Sequence, residues 1–334
     1  MALTRRQPYA QIIDGEPRCP LATPETIRNG LQFVAHKGDL LQVSYLRSGT
    51  HWVQYIIQLI LNDGKPIDSY DEFHRRARNV EYYADISQYK AIGPVRTLRT
   101  HLPLRLEKLN PEAKYVYVAR NPWDVCVSLY HLVTSLSFYR FQDGTFDDFL
   151  ETFLTGCLPY GCYFEHLVAG YSLKDEPNVL FLTYEELQRD IREVVLRVAS
   201  FIGEHYLKAL KENGEEGQNL LDVIIRNSSA ESMKKVMVFN FSECSDPDVD
   251  RRFKSLNITT NSAHEGDTTR HNCVRNCKVG KWKEYFSPEQ LRRMETTIRE
   301  KTKGSSVMDL WRDIRAEALR MSREKETPAS LTQL

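Results

Sequence analysis

The sequence predicts a single α/β domain: a central parallel sheet flanked by helices, with a P-loop-like phosphate-binding turn after its first sheet strand. Three observations carry that expectation. Apolar strand-like runs alternate with helical runs along residues 38–61, 114–133 and 177–187, the order that builds βαβ units and therefore a parallel sheet. The first run, GDLLQVSYL (38–46), is almost continuously apolar, as in a central strand buried on both faces. The segment VSYLRSGTHW (43–52) then breaks at Ser48-Gly49-Thr50 and re-emerges as an apolar helix. A helix N-terminus leaves amides unpaired, and a glycine in the turn lets an anion approach the backbone closely.

The remaining elements follow in order. Residues 1–38 are expected to be mostly irregular, with 1–34 as an arm around a core of about 35–320. HWVQYIIQLIL (51–61) has no polar face and reads as a largely buried helix, and AIGPVRTLRTHLPL (91–104) supplies a short strand ending near His101. KYVYVAR (114–120) is a strand that stops at Arg120. The helix after it has a clear start in Asn121 as N-cap, Pro122 at the first helical position and Asp124 three residues after the cap. PNVLFLTYEEL (177–187) runs from turn to strand to an acidic helix start at Tyr184. Ligands of such sheets bind beyond the carboxyl ends of the strands, where Arg47, His101, Arg120 and Tyr184 lie. Residues 204–222 read as a solvated helix and loop, 241–274 as a mobile lid or disorder, and 322–334 as a flexible tail.

Lys plus Arg number 45 and Asp plus Glu 45, so no overall field recruits a polyanion; nucleic acid is not expected as a partner, and any anion site must be a local cluster. The N-terminus has no apolar signal core and no eighteen apolar residues run together, so neither a signal peptide nor a membrane span is expected. Seven cysteines, an odd number in a chain of 334 residues, are expected to be free thiols, which together suggests a cytoplasmic enzyme. His271, Cys273 and Cys277 are too loosely spaced to complete four metal ligands, so no metal is expected.

The turn departs from the GxxxxGK[ST] phosphate loop: no glycine opens it, and no lysine precedes the hydroxyl residue. An ordinary nucleoside triphosphate is therefore not the expected ligand. Instead, YLRSGTHW resembles the PKSGTTW box of the cytosolic sulfotransferases, which holds the 5′-phosphosulfate of 3′-phosphoadenosine-5′-phosphosulfate (PAPS). Four further segments resemble that family over roughly residues 35–300. RTHLPL (99–104) is similar to its KTHLP, which implies His101 as general base. YVYVARNPWDVCVSLYH (115–131) resembles VARNxxDxxVSxYH, implying that Arg120 and Ser128 clasp the 3′-phosphate. LFLTYEEL (180–187) implies Tyr184 at the adenine, with Trp52 stacked on the base. VRNCKVGKWKEYF (274–286) resembles RKGxxGDWKxxF, implying Arg275, Asn276 and Cys277 in a loop over the cofactor, and Ser228 resembles a position lining the adenine pocket.

The resemblance implies transfer of a sulfuryl group from PAPS to a hydroxyl or amine of a small acceptor, phenolic or catecholamine-like, giving a sulfate ester and 3′-phosphoadenosine-5′-phosphate (PAP). Ser48, Gly49, Thr50, His51 and Trp52 would hold the cofactor. Arg47 and Arg99, standing where the family has lysines, would offset charge on the transferring group. Tyr82, Tyr83, Phe138 and Tyr139 are expected to line the acceptor site, with Glu81 available to an amine. Asn276-Cys277 and Lys281 depart from the family pattern and leave the strength of the cofactor clasp open. The family's dimer segment KxxxTVxxxE is half lost, Lys283 being followed by Ser287-Pro288 and Arg292, so a homodimer by that route is in doubt. Two alternatives are a PAP- or PAPS-binding protein with little turnover and a P-loop kinase of small substrates.

Overall fold

Strand β1 (Leu40–Ser44) has all five side chains buried, because the sheet covers both its edges and helices cover both its faces. Its partners in chain order are β2 (Ala77–Asn79), β3 (Thr97–Thr100), β4 (Lys114–Ala119) and β5 (Val179–Thr183). The sheet order is β2-β3-β1-β4-β5 and every pairing is parallel. The computed structural model describes residues 6–212, 219–275 and 277–323.

Alternation along the strands divides the interior in two. Leu41, Val43, Tyr115 and Tyr117 face one apolar core with Trp123, Phe149 and Tyr163. Leu40, Val116, Val118 and Leu182 face the other, with Ile56, Ile57 and Val195. Helix α1 (Thr50–Leu61) has nine buried residues, matching the lack of a polar face in its sequence. Helix α2 (Pro122–Ser135) starts as its sequence predicts: the Asn121 side chain accepts from the Asp124 amide, and Pro122 opens the first turn. Helix α3 (Tyr184–Arg189) carries a capping box between Thr183 and Glu186.

Two expectations are corrected and one element is added. The N-terminal arm is not mostly irregular: Gln11–Ile13 pairs antiparallel with Glu16–Arg18, turning through Asp14 and Gly15, both at positive φ. A helix, Pro24–Gln32, follows with a Thr23–Thr26 capping box. Segment 241–274 is not disordered, since it holds helix Pro247–Leu256 and the strands Ala263–His264 and Asp267–Asn272, which join Val238–Asn240 in a small antiparallel sheet. Strand β2 was not foreseen; it is a three-residue edge strand of mostly polar sequence.

Helix Glu204–Lys211 agrees with the solvated reading at the start of 204–222; 213–218 lie outside the described residues, and 220–222 open a further helix, Leu220–Asn227, that buries Leu221. The expected tail falls outside them from 324 onward. Among the described residues no helix is long and apolar enough to cross a membrane. Lys283, in the degenerate dimer segment, pairs with Glu317 of the same chain at 2.7 Å.

Candidate active site

All five sheet strands point their carboxyl ends the same way, so the loops after β1, β2, β3, β4 and β5 converge on one edge. Strand order reverses around β1, and a cavity of about 900 Å³ opens there. That volume lies near the top of the roughly 300–1,000 Å³ range of small-molecule sites.

The turn after β1 is built for an anion. Arg47 takes a left-handed backbone at φ 69° and Gly49 one at φ 108°. Gly49 is the N-cap of α1 and offers no side-chain cap, so the first amides of the helix have neither an intrahelical nor a capping partner. Ser48 is fully buried and its hydroxyl has no partner. The turn is tied to its own strand: Gln42 Nε2 donates to the Thr50 carbonyl at 3.0 Å, and the Ser44 and Thr50 hydroxyls meet at 2.8 Å. A Cβ on Gly49 would stand 3.0 Å from Tyr184 Cδ2. Gly49→Ala should therefore cost about 1–3 kcal/mol and weaken PAP binding, as denaturant titration and calorimetry would show. Wild-type values for both would mean the turn tolerates a side chain there.

Arg120, just after β4, and Ser128, on α2, face the turn. Arg120 lies with its guanidinium 4.3 Å over the Tyr184 ring and donates to the carbonyls of Arg47 (3.3 Å) and Lys278 (3.1 Å). Arg47 Nε donates to the Ser128 hydroxyl at 3.0 Å and Nη1 to the Cys273 carbonyl at 3.5 Å. Tyr184 sits edge-on to Trp52 at 5.4 Å. Burial, with the nearby Arg120 and Arg275 charges adding to it, pushes the Arg47 guanidinium below its ordinary value. Such crowding of cations is relieved by a bound anion.

Asp124 makes only a long ion pair with Arg120, at 4.0 Å. Its carboxylate instead accepts the amides of Gly280 (2.9 Å) and Trp282 (3.3 Å), pinning the loop that carries Arg275 and Cys277 over the cavity. Sequence reasoning did not assign this role, although an Asp at the third position of a capped helix, next to an Arg, was the visible signal.

The base expected from the sequence sits where β1 and β3 end together. Val43 pairs with Thr100, which sets His101 level with Ser44, and His101 Nδ1 donates to the Ser44 carbonyl at 2.8 Å. A carbonyl can only accept, so Nδ1 carries the proton and Nε2 keeps its lone pair. Burial pushes the imidazole below its ordinary range, with Glu81 and the Ser44 carbonyl opposing and Arg99 assisting. The ring packs edge-on against Tyr160 at 5.6 Å. Arg99 is also buried; it donates through Nε to Asn79 Oδ1 and through Nη2 to His74 Nδ1 (2.6 Å), and leaves Nη1 without a partner.

Most of the predicted residues meet in the one cavity. Arg47, Gly49, Thr50, His51, Trp52, Arg120, Ser128, Tyr184, Ser228, Arg275 and Cys277 line one part, and Arg99, His101, Tyr82, Phe138 and Tyr139 line the rest. Ser48 lies beneath the turn, and Asn276 falls outside the described residues. Two acceptor residues are corrected, since neither Glu81 nor Tyr83 lines the cavity. Tyr83 bonds to His74 Nε2 at 2.8 Å beneath Arg78, and the Glu81 carboxylate is spent on the Thr100 hydroxyl and the His101 amide, both at 2.9 Å. The sequence also missed part of the cavity wall: Phe239 and Phe241 come from the strand Val238–Asn240 and the residue after it, and Phe253 from helix Pro247–Leu256. The alternation in VFNF (238–241) was the signal for the first two.

Comparison with known proteins gives the family and the fold. A family model of the sulfotransferase domain matches residues 37–306. Human sulfotransferase 1C2 is 29% identical over 302 residues, covering 86% of this chain and 92% of its own. Mouse sulfotransferase 2B1 is 31% identical over 270 residues, covering 80% and 72%. Mouse sulfotransferase SULT7A1, solved complexed with PAP, superposes with a TM-score of 0.64 at 23% identity, covering 92% of this chain and 99% of that one; it speaks for the fold. Matched through both its phosphate turn and the strands that carry it, the chain belongs to the sulfotransferase family.

Proposed function

We propose that this protein transfers the sulfuryl group of PAPS to a hydroxyl of a small, ring-bearing acceptor, giving a sulfate ester and PAP. The residues fit that co-substrate. Open amides of the turn and the Arg47–Arg120–Arg275 charges suit two separate phosphate groups, while Trp52 and Tyr184 offer aromatic surface to a base. When bound, PAPS supplies an activated sulfuryl group with a phosphate leaving group. His101 Nε2 takes the acceptor's proton, and Arg47 and Arg99 offset negative charge near the reacting centre. The walls of Tyr82, Phe138, Tyr139 and Phe239 suit a phenol. With Glu81 bonded elsewhere, the residue expected to hold an amine is unavailable to it, so a hydroxyl acceptor is the reading we prefer. All seven cysteines are free, in keeping with the cytoplasmic placement we favour.

The observation that carries this reading is that β1 serves both halves of the site: its end opens into the anion turn and its last carbonyl fixes the tautomer of His101. Calorimetric titration with PAP, ADP and ATP, followed by an assay of transfer from PAPS to a panel of phenols, tests it. PAP should bind at least about tenfold more tightly than ADP, since the 3′-phosphate adds charge-assisted bonds worth more than about 1.4 kcal/mol. Tight PAP binding with no transfer to any acceptor would favour a binding protein, and preference for ATP would overturn the assignment.

A further inference from the structure

We infer that Glu81 is a positioning residue for the base: its buried carboxylate grips the end of β3 and stabilises the imidazolium that forms when His101 takes the acceptor's proton. The inference rests on the reading of His101 as that base. Asn79 pairs with Arg99 across β2 and β3, so Glu81, two residues on, comes level with His101. Its oxygens divide the work. Oε1 accepts the His101 amide at 2.9 Å and Oε2 accepts the Thr100 hydroxyl at 2.9 Å. Asn79, whose Nδ2 lies 3.5 Å from Oε1, takes the Arg99 Nε on its own carbonyl. Arg99, Thr100 and His101 are thus each held, directly or through Asn79, by one side chain that is 2% exposed.

The charge has a use that the hydrogen bonds alone do not explain. A buried carboxylate with no salt-bridged cation is costly to keep ionised, and among the described residues no Lys or Arg forms an ion pair with Glu81. Where only a peg was needed, a neutral amide would be cheaper. Beside a histidine that becomes a cation during turnover, a fixed negative charge opposes the burial that disfavours the imidazolium. The other groups acting on His101 do not replace it. Arg99 works against the imidazolium, and His51 and His166 are buried and held below their ordinary range. Tyr160, packed on the ring, is neutral. The titratable neighbours of Glu81 itself, Tyr82 and Cys19, are likewise kept neutral by burial.

The test is the pH profile of kcat/KM for Glu81→Gln in the full chain at saturating PAPS, with PAP affinity measured alongside. Removing the negative charge lowers the proton affinity of His101, so the acid limb should move to lower pH by about one unit. The plateau should fall up to about tenfold because the base is weaker. PAP affinity should not change. Glu81→Asp keeps the charge but shortens the reach; its limb should stay near the wild-type position while kcat falls. An acid limb unmoved in Glu81→Gln would overturn the inference, as would loss of PAP affinity in step with activity. Were Glu81→Gln not to fold, an unchanged kcat in Glu81→Asp would overturn it equally. His101→Ala separates the two levels: if it retains turnover, the base assignment itself fails; if it abolishes turnover and Glu81→Gln leaves the limb in place, only the role of Glu81 fails.

Discussion

His101→Ala should lower kcat by about 10²–10⁴ and leave PAP affinity unchanged. The separation is expected because the imidazole contributes nothing to the anion turn except through Ser44. Ser44 keeps its own bond to the Thr50 hydroxyl at 2.8 Å when the ring is removed. The wild-type pH profile should agree in sign. Burial holds the His101 pKa below its ordinary value, near 6.5 for an unperturbed histidine. The ring is therefore neutral and competent as a base at pH 7, and kcat/KM should be flat there and fall only as pH drops through the depressed pKa. In the alanine variant that acid limb should vanish with the activity. Residual turnover that kept the same limb would assign the limb to another group, and near-normal kcat would mean the acceptor loses its proton to water.

Much of the arrangement was legible because each element stated its role locally. β1 and β4 are apolar enough to be buried on both faces, and Asn121-Pro122 and Thr183-Tyr184-Glu185-Glu186 are start signals readable without tertiary contacts. Since ligands gather at the carboxyl ends of parallel strands, the residues just beyond those ends were findable too. What escaped the sequence depends on packing. Helix Pro247–Leu256 buries only Val249 and Phe253, a stripe too thin to stand out in a polar segment, though Asp246-Pro247 marked its start. Its place is fixed from outside: Arg252 donates to the carbonyls of Leu21 (2.9 Å) and Tyr82 (2.6 Å), and Arg78 pairs with Asp246 at 3.3 Å. Glu81 and Tyr83 flank Tyr82 in and beside the short 3₁₀ turn Val80–Tyr82. Which of three adjacent side chains faces the cavity there is decided by that turn and not by any sequence period.

Arg47→Ala should reduce kcat by about 10²–10³, as loss of an electrostatic clamp does, and should also weaken PAP binding. The second effect follows from geometry. The guanidinium bridges Ser128 on α2 and the Cys273 carbonyl, so its loss unties the turn from both α2 and the loop that carries Arg275. The left-handed backbone at φ 69° is as strained for alanine as for arginine, so the substitution leaves that cost in place and the measured loss reports the side chain. Arg47→Lys, which restores the cation found in the PKSGTTW box, sharpens the experiment. A single ammonium can offset charge on the transferring group but cannot reproduce the planar two-nitrogen bridge. Steady-state kinetics should therefore show kcat largely recovered while PAP affinity stays reduced. Recovery of both would mean that only positive charge matters at this position. If Arg47→Ala lost PAP affinity but kept kcat, Arg47 would belong to the phosphate clasp alone, and Arg99, whose Nη1 has no partner and whose charge acts on His101, would be left as the cation that serves the reacting centre.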